Sequence, residues 1–139
     1  MSKKDIRWVQ RFSNFRKAIE KLRDAVAEYD DETSDLEKEG IIQRFEYTFE
    51  LGWKTLQDLL AHKGYVDVKG PNPVLAQALR DGYIKGEKIW REMKQARDVT
   101  SHTYDESEAN EIVEKIVSEY CKVLTDLNKR LETELRKEK

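Results

Sequence analysis

Apolar residues recur along this chain in steps of three and four. Over about residues 6–29 they fall at Trp8, Phe12, Phe15, Ile19, Leu22 and Val26. That alternation keeps one stripe on a helix. The opposite face carries Arg7, Arg11, Arg16, Lys17, Glu20, Lys21, Arg23 and Asp24. The polar run 30–35 breaks the pattern and offers capping side chains. A second helix is predicted over about residues 36–62, turning Ile41, Ile42, Phe45, Phe49, Trp53, Leu56, Leu59 and Leu60 inward. Glu46, Glu50 and Lys54 are interleaved with that stripe. Gly52 in its interior costs about 1 kcal/mol relative to alanine, which a close approach by another helix explains. Gly64 is a stop signal.

A loop over residues 65–73 contains Gly70, Pro71 and Pro73. Two short helices are predicted over about 73–81 and 87–98, divided by Gly82 and Gly86. The first offers Val74, Leu75, Ala78 and Leu79 to the core, the second Ile89, Trp90, Met93 and Ala96. After a polar, aromatic stretch at 99–105, acidic residues open a last helix over about 106–135. Its stripe is Val113, Ile116, Val117, Tyr120, Leu124, Leu127 and Leu131, and a frayed, charged end follows at 136–139. Three long and two short helices with short connections predict an all-α fold, an antiparallel up-and-down helical bundle formed as one domain over residues 1–139.

Composition narrows the class. The chain has 139 residues, 39% charged and 38% hydrophobic, with two prolines and six glycines. That is too apolar for a disordered chain and too poor in turn residues for a many-stranded sheet. The 26 basic residues against 28 acidic ones argue against a globally basic nucleic-acid coat, though not against a local basic patch. The single cysteine, Cys121, excludes an internal disulfide framework and fits a reducing, cytoplasmic setting. No secretory h-region follows Met1 and no apolar run is long enough for a membrane span. Two histidines and one cysteine are too few for a structural zinc site, and no metal or other cofactor is expected. Lys69-Gly70-Pro71 lacks the rest of a P-loop. Cys121 reads as a small buried hydrophobe, His62 as a helix-end cap, and Trp8, Trp53 and Trp90 as packing residues.

The chemistry concentrates in Arg97-Asp98-Val99-Thr100-Ser101-His102-Thr103-Tyr104. On an unbroken helix Arg97 and His102 would stand roughly 140° apart. If the helix ends near Val99, His102 folds back beside Arg97. A guanidinium beside an imidazole suits RNA cleavage without metal. The imidazole takes the 2′-hydroxyl proton and the guanidinium stabilises the charge gathering on phosphorus. The bland alternative gives Arg97 to a helix-end carboxylate and leaves His102 as a cap. Glu46, Glu50 and Lys54 share one helical face, which is either a surface ladder or a cleft wall that orients Arg97 or His102. Tyr104, flanked by Thr103 and Asp105, is expected to keep its hydroxyl in solvent or in the cleft.

Arg97, His102 and Tyr104 resemble the R-x4-H-x-Y signature of the HEPN superfamily. Phe45, Glu46, Glu50, Trp53 and Lys54 resemble the FE-x3-E-x-xWK core of one branch, the nucleotidyltransferase substrate-binding proteins. Asp98 departs from the asparagine that many HEPN proteins carry after the arginine. The resemblance implies an antiparallel helical bundle and a homodimer whose two R-x4-H motifs meet at a cleft. It implies Arg97 and His102 as catalytic residues, with Asp98, Tyr104, Glu46 and Glu50 around them. It also implies a toxin–antitoxin pairing: a ribonuclease acting on RNA, controlled by a minimal nucleotidyltransferase (MNT) that transfers AMP to Tyr104. Another reading of the same branch makes the helical chain a non-catalytic subunit that presents substrate to the transferase, and a third makes it a structural dimerisation module.

Overall fold

The computed structural model describes residues 3–138, with side chains from residue 7 onward. The chain ends at Met1, Ser2 and Lys139, which enter the sequence expectations above, lie outside the described residues. Six α-helices and one π-helical turn make up the described regular structure: α1 (Lys3–Ala27), α2 (Asp35–His62), α3 (Pro71–Arg80), α4 (Glu87–Thr100), α5 (Glu106–Lys115), the π turn (Ile116–Tyr120) and α6 (Cys121–Lys137). The last three form one continuous helical run. Three long runs and two short helices therefore form the bundle, as the periodicity predicts.

Helix α2 is the hub and packs against all the others. It runs antiparallel to α1, since Arg11 meets Asp58, Ala18 meets Thr48 and Lys21 meets Arg44. The stripe residues Trp8, Phe12, Phe15, Ile19 and Leu22 are fully buried, and Val26 only partly. Gly52 sits where α1 and α6 close on α2. A Cβ there would lie 3.2 Å from Phe15 Cε1 and 3.4 Å from Leu127 Cδ2, so the helix-propensity cost of this glycine permits the close approach.

Several boundaries shift for identifiable reasons. Ser34 starts α2 with a reciprocal capping box to Glu37. Helix α3 begins at Pro71 rather than Pro73, because Gly70 adopts φ 87° and proline is pre-set for a first turn. Helix α1 stops at Ala27, two residues short of Tyr29. The final helix is not uniform. From Ile116 to Tyr120 to Leu124 the core stripe takes two successive steps of four, which would drift off the core on a regular helix. The wider π turn absorbs that drift, leaving Tyr120 stacked on Phe45 at 5.4 Å and Leu124 fully buried. Trp53 packs against the core as expected but is only half-buried, and its indole N–H donates to Glu50 Oε2 at 2.8 Å. Cys121 is buried as expected, and burial, opposed by the Thr125 hydrogen bond and Arg23, pushes its thiol pKa up. His62 pairs with Glu138 at 2.6 Å rather than merely capping α2. No helix among the described residues is long and apolar enough to cross a membrane.

Candidate functional site

Helices α2 and α4 cross with their polar edges in contact. Helix α4 runs to Thr100, slightly beyond the end that residue spacing predicts. Its last turn is held by side chains as well as backbone. Thr100 Oγ1 lies 3.1 Å from the Arg97 carbonyl and 3.0 Å from Glu46 Oε2. Ser101 then caps the helix, donating to the Asp98 carbonyl at 2.7 Å. The His102 backbone N–H donates to the Val99 carbonyl at 3.1 Å and opens the turn toward α5. Asp105 begins α5 with a second capping box, to Glu108.

Arg97 is the centre of this junction. Its Nη2 donates to Glu50 Oε1 at 2.6 Å, while the other Glu50 oxygen accepts from Trp53. The Arg97 and Glu50 side chains are 27% and 28% exposed, so water screens the pair only in part. Arg97 Nε is buried without a hydrogen-bond partner among the described residues. Lys54 Nζ stands 4.0 Å from Glu50 and 5.8 Å from the Trp53 ring centroid. Glu46 and Glu50 are thus both partly buried and both engaged with α4. Glu50 faces Lys54 along its own helix, as a surface ladder requires, and also reaches Arg97 across the junction.

The other predicted residues are not hydrogen-bonded into this junction. His102 is exposed, and no hydrogen bond joins its side chain to Arg97. Helix α4 continues to Thr100, one residue past the end that the fold-back expectation supposed. Asp98 points away from the junction and pairs with Lys94 at 2.8 Å. Tyr104 has an apolar neighbourhood that its polar sequence flanks do not predict. It is half-buried and packs against the core, in a shallow recess walled by Asp35, Lys38, Glu39 and Ala109. Burial first, then the Glu39 and Glu46 carboxylates, hold its hydroxyl above the ordinary tyrosine pKa. Thr100 and Trp53 complete the network; sequence reasoning takes Thr100 as a donor to phosphate rather than to Glu46, and Trp53 as packing alone. Their signal lies in spacing: Trp53 follows Glu50 by three residues and Thr100 follows Arg97 by three, so each pair shares a helix face. No cluster of metal-ligating side chains occurs among the described residues.

A family described as "Nucleotidyltransferase substrate binding protein like" matches residues 10–133. The chain belongs to this family. That assignment agrees with the HEPN resemblance read from Arg97, His102 and Tyr104. A curated relative from Haemophilus influenzae, named "Probable ribonuclease HepT", is 32% identical over 81 residues, covering 55% of this chain and 56% of that protein. The match therefore spans only about half of that relative. A solved structure of a Thermus thermophilus protein shares the fold with a TM-score of 0.75 at 31% identity, covering 84% of this chain and 98% of that one. In this chain α2 and α4 are placed so that Glu46 and Glu50 meet Thr100 and Arg97.

Proposed function

We propose that this protein is a HEPN-type endoribonuclease that cleaves RNA with Arg97 and His102, acts as a homodimer and is controlled by an MNT partner. The observation that carries the reading is the Arg97 junction: Glu50 fixes the guanidinium by a single hydrogen bond at 2.6 Å, and exposed His102 follows in the turn after α4. An arginine has five N–H donors, so most of this one's capacity is left for a phosphate. One His102 imidazole takes the proton of the RNA 2′-hydroxyl. The 2′-oxygen attacks phosphorus, the P–O5′ bond breaks, and a cyclic phosphate forms. The leaving 5′-oxygen takes a proton from the His102 imidazolium of a second protomer. Arg97 offsets the charge on the non-bridging oxygens. A two-fold axis near this segment supplies the second histidine and arginine, which one chain lacks.

Tyr104 is the proposed control point. AMP on its hydroxyl adds a phosphate charge beside Glu39 and Glu46 and a bulky base on the α4–α5 turn, which repels and blocks an RNA backbone. The family description favours one other reading, a non-catalytic chain that presents substrate to the transferase. The deciding experiment incubates purified chain with labelled RNA and chelator, beside His102→Ala. Cleavage by the former alone supports the nuclease. No cleavage by either, with AMP transfer elsewhere stimulated by this chain, supports the presenting subunit. Mass spectrometry after incubation with partner, ATP and Mg²⁺ then checks for AMP on Tyr104.

A further inference from the structure

Helix α1 concentrates positive charge that the junction does not use. It carries eight lysines and arginines against three acidic residues, in a chain whose net charge is −2. The core stripe on this helix is mirrored by a polar row at Arg7, Gln10, Asn14, Lys17 and Lys21, again in steps of three and four. All five are exposed. The row contains no acidic residue and runs about 21 Å along the helix. Arg7, Lys17 and Lys21 make no ion pair among the described residues, unlike Arg11, which is held by buried Asp58 at 2.7 Å. Unpaired cations held in register on a rigid helix are arranged for an external polyanion rather than for internal stability.

The row also has a direction. Arg44 of α2 donates to the Lys21 carbonyl at 3.1 Å, and Thr48 approaches the Ala18 carbonyl at 3.4 Å, so α2 lies along one flank of the row. On the solvent side of α2 stand Tyr47, 62% exposed, and Lys54, two turns further on. Beyond them, on the far flank of α2, Glu50 holds Arg97. The surface therefore runs from α1 across α2 to the Arg97 junction, with basic groups at both ends and an exposed aromatic ring between.

We propose that the outer face of α1 and α2, built from Arg7, Lys17, Lys21, Arg44, Tyr47 and Lys54, binds the backbone of single-stranded RNA and leads it to Arg97. This rests on the nuclease reading for the direction of the strand, but not for the binding itself. The lysines and arginines take phosphates, and the Tyr47 ring stacks one base without sequence preference.

The test uses full-length His102→Ala protein and a labelled single-stranded RNA, with binding followed by fluorescence anisotropy between about 50 and 200 mM salt. The Arg7→Glu/Lys17→Glu/Lys21→Glu variant is expected to bind at least about tenfold more weakly, with the log–log salt slope reduced by about 2. Tyr47→Ala is expected to weaken binding about tenfold with the slope unchanged, the signature of lost stacking rather than lost charge. A control of equal net charge, Lys85→Glu/Lys88→Glu/Lys122→Glu, is expected to bind within about twofold of the parent, and circular dichroism checks that all variants are folded. Equal weakening by the α1 set and the control overturns the proposal, since net charge alone would then act. So does unchanged binding by the α1 set. If the otherwise wild-type chain fails to cleave RNA yet binds through α1, the nuclease reading fails and this surface stands. If it cleaves while the α1 set binds normally, the reverse holds.

Discussion

Glu134 and Glu50 each face an arginine, and their surroundings differ. Glu134 on α6 is 4% exposed. Arg130 reaches it at 2.5 Å, and Lys63 and Lys137 each at 3.5 Å. Burial raises its pKa, but the Arg130 hydrogen bond and the charges of Arg130, Lys137 and Lys63 outweigh burial and hold the carboxyl below its ordinary value. Arg130 also covers the Tyr83 ring at 4.9 Å. Every charge there is answered, and the cluster ties the end of α2 to α6. Glu50 and Arg97 share one hydrogen bond, stand more than a quarter exposed, and leave Arg97 Nε without an acceptor. A cluster that only holds helices together saturates its ions. At the Arg97 junction one guanidinium N–H is committed to Glu50 and the Nε is buried, so only the remaining Nη donors are open to the anion of the proposed reading.

The largest effect expected from this contrast is on chemistry. Arg97→Ala should lower RNA cleavage by about a hundredfold or more, while the melting temperature falls by only a few degrees. A partly exposed pair contributes about 0–1 kcal/mol, and Trp53 still occupies Glu50. Gel cleavage assays beside thermal melts monitored by circular dichroism check both halves. A variant that melts far lower would make Arg97 a structural residue like Arg130, and the contrast would collapse.

Arg130→Ala should do the opposite. It removes the shortest partner of a buried carboxylate and a cation–π contact, leaving two lysines at 3.5 Å. A loss of about 2–3 kcal/mol is expected, or roughly 5–10 °C in melting temperature, with cleavage per folded molecule unchanged. A neutral effect on melting would show that Lys63 and Lys137 suffice.

The two sites are not equally legible in the sequence. The Glu134 cluster is half legible: Arg130, Glu134 and Lys137 share a face of α6 at helical spacing, whereas Lys63 arrives from the end of α2, which only the fold brings there. The α2 and α4 stripes, by contrast, follow from helical periodicity, and with them the partial burial of Glu46 and Glu50. That Arg97 chooses Glu50 and Thr100 chooses Glu46 depends on the register of α2 against α4, which no local pattern states. Tyr104 escapes sequence reasoning for the same reason. Its sequence neighbours are polar, but its spatial neighbours include the core edge beside Ala109. The π turn is visible only as two consecutive steps of four.

A smaller effect concerns acid. The folded-state pKa of Glu134 lies below its unfolded value of about 4.5. Its contribution is therefore fully present above pH 4.5 and is lost as pH falls through the lower folded value. Glu134→Gln should melt lower than wild type at pH 7, and the gap should close on titration toward pH 3. Melting curves across that range check the sign. A gap that widens in acid would mean that desolvation, not Arg130, controls this carboxyl.

The smallest effect on stability is expected at Glu50, and it separates orientation from charge. Glu50→Gln keeps an oxygen that can accept from Arg97 or from Trp53, but removes the negative charge. Glu50→Ala removes both. Because the pair is more than a quarter exposed, each should shift stability by less than about 1 kcal/mol. If Glu50 works by aiming the guanidinium, Gln should retain most of the cleavage rate while Ala loses about tenfold, mainly in kcat, since a swinging guanidinium misses the phosphorus charge as it develops. If Gln falls as far as Ala, the carboxylate charge itself is required. If both cleave faster than wild type, Glu50 competes with the RNA phosphate for Arg97, and the junction is a lock rather than an aiming device. Single-turnover cleavage on the three proteins, with melting curves confirming that all remain folded, distinguishes these outcomes.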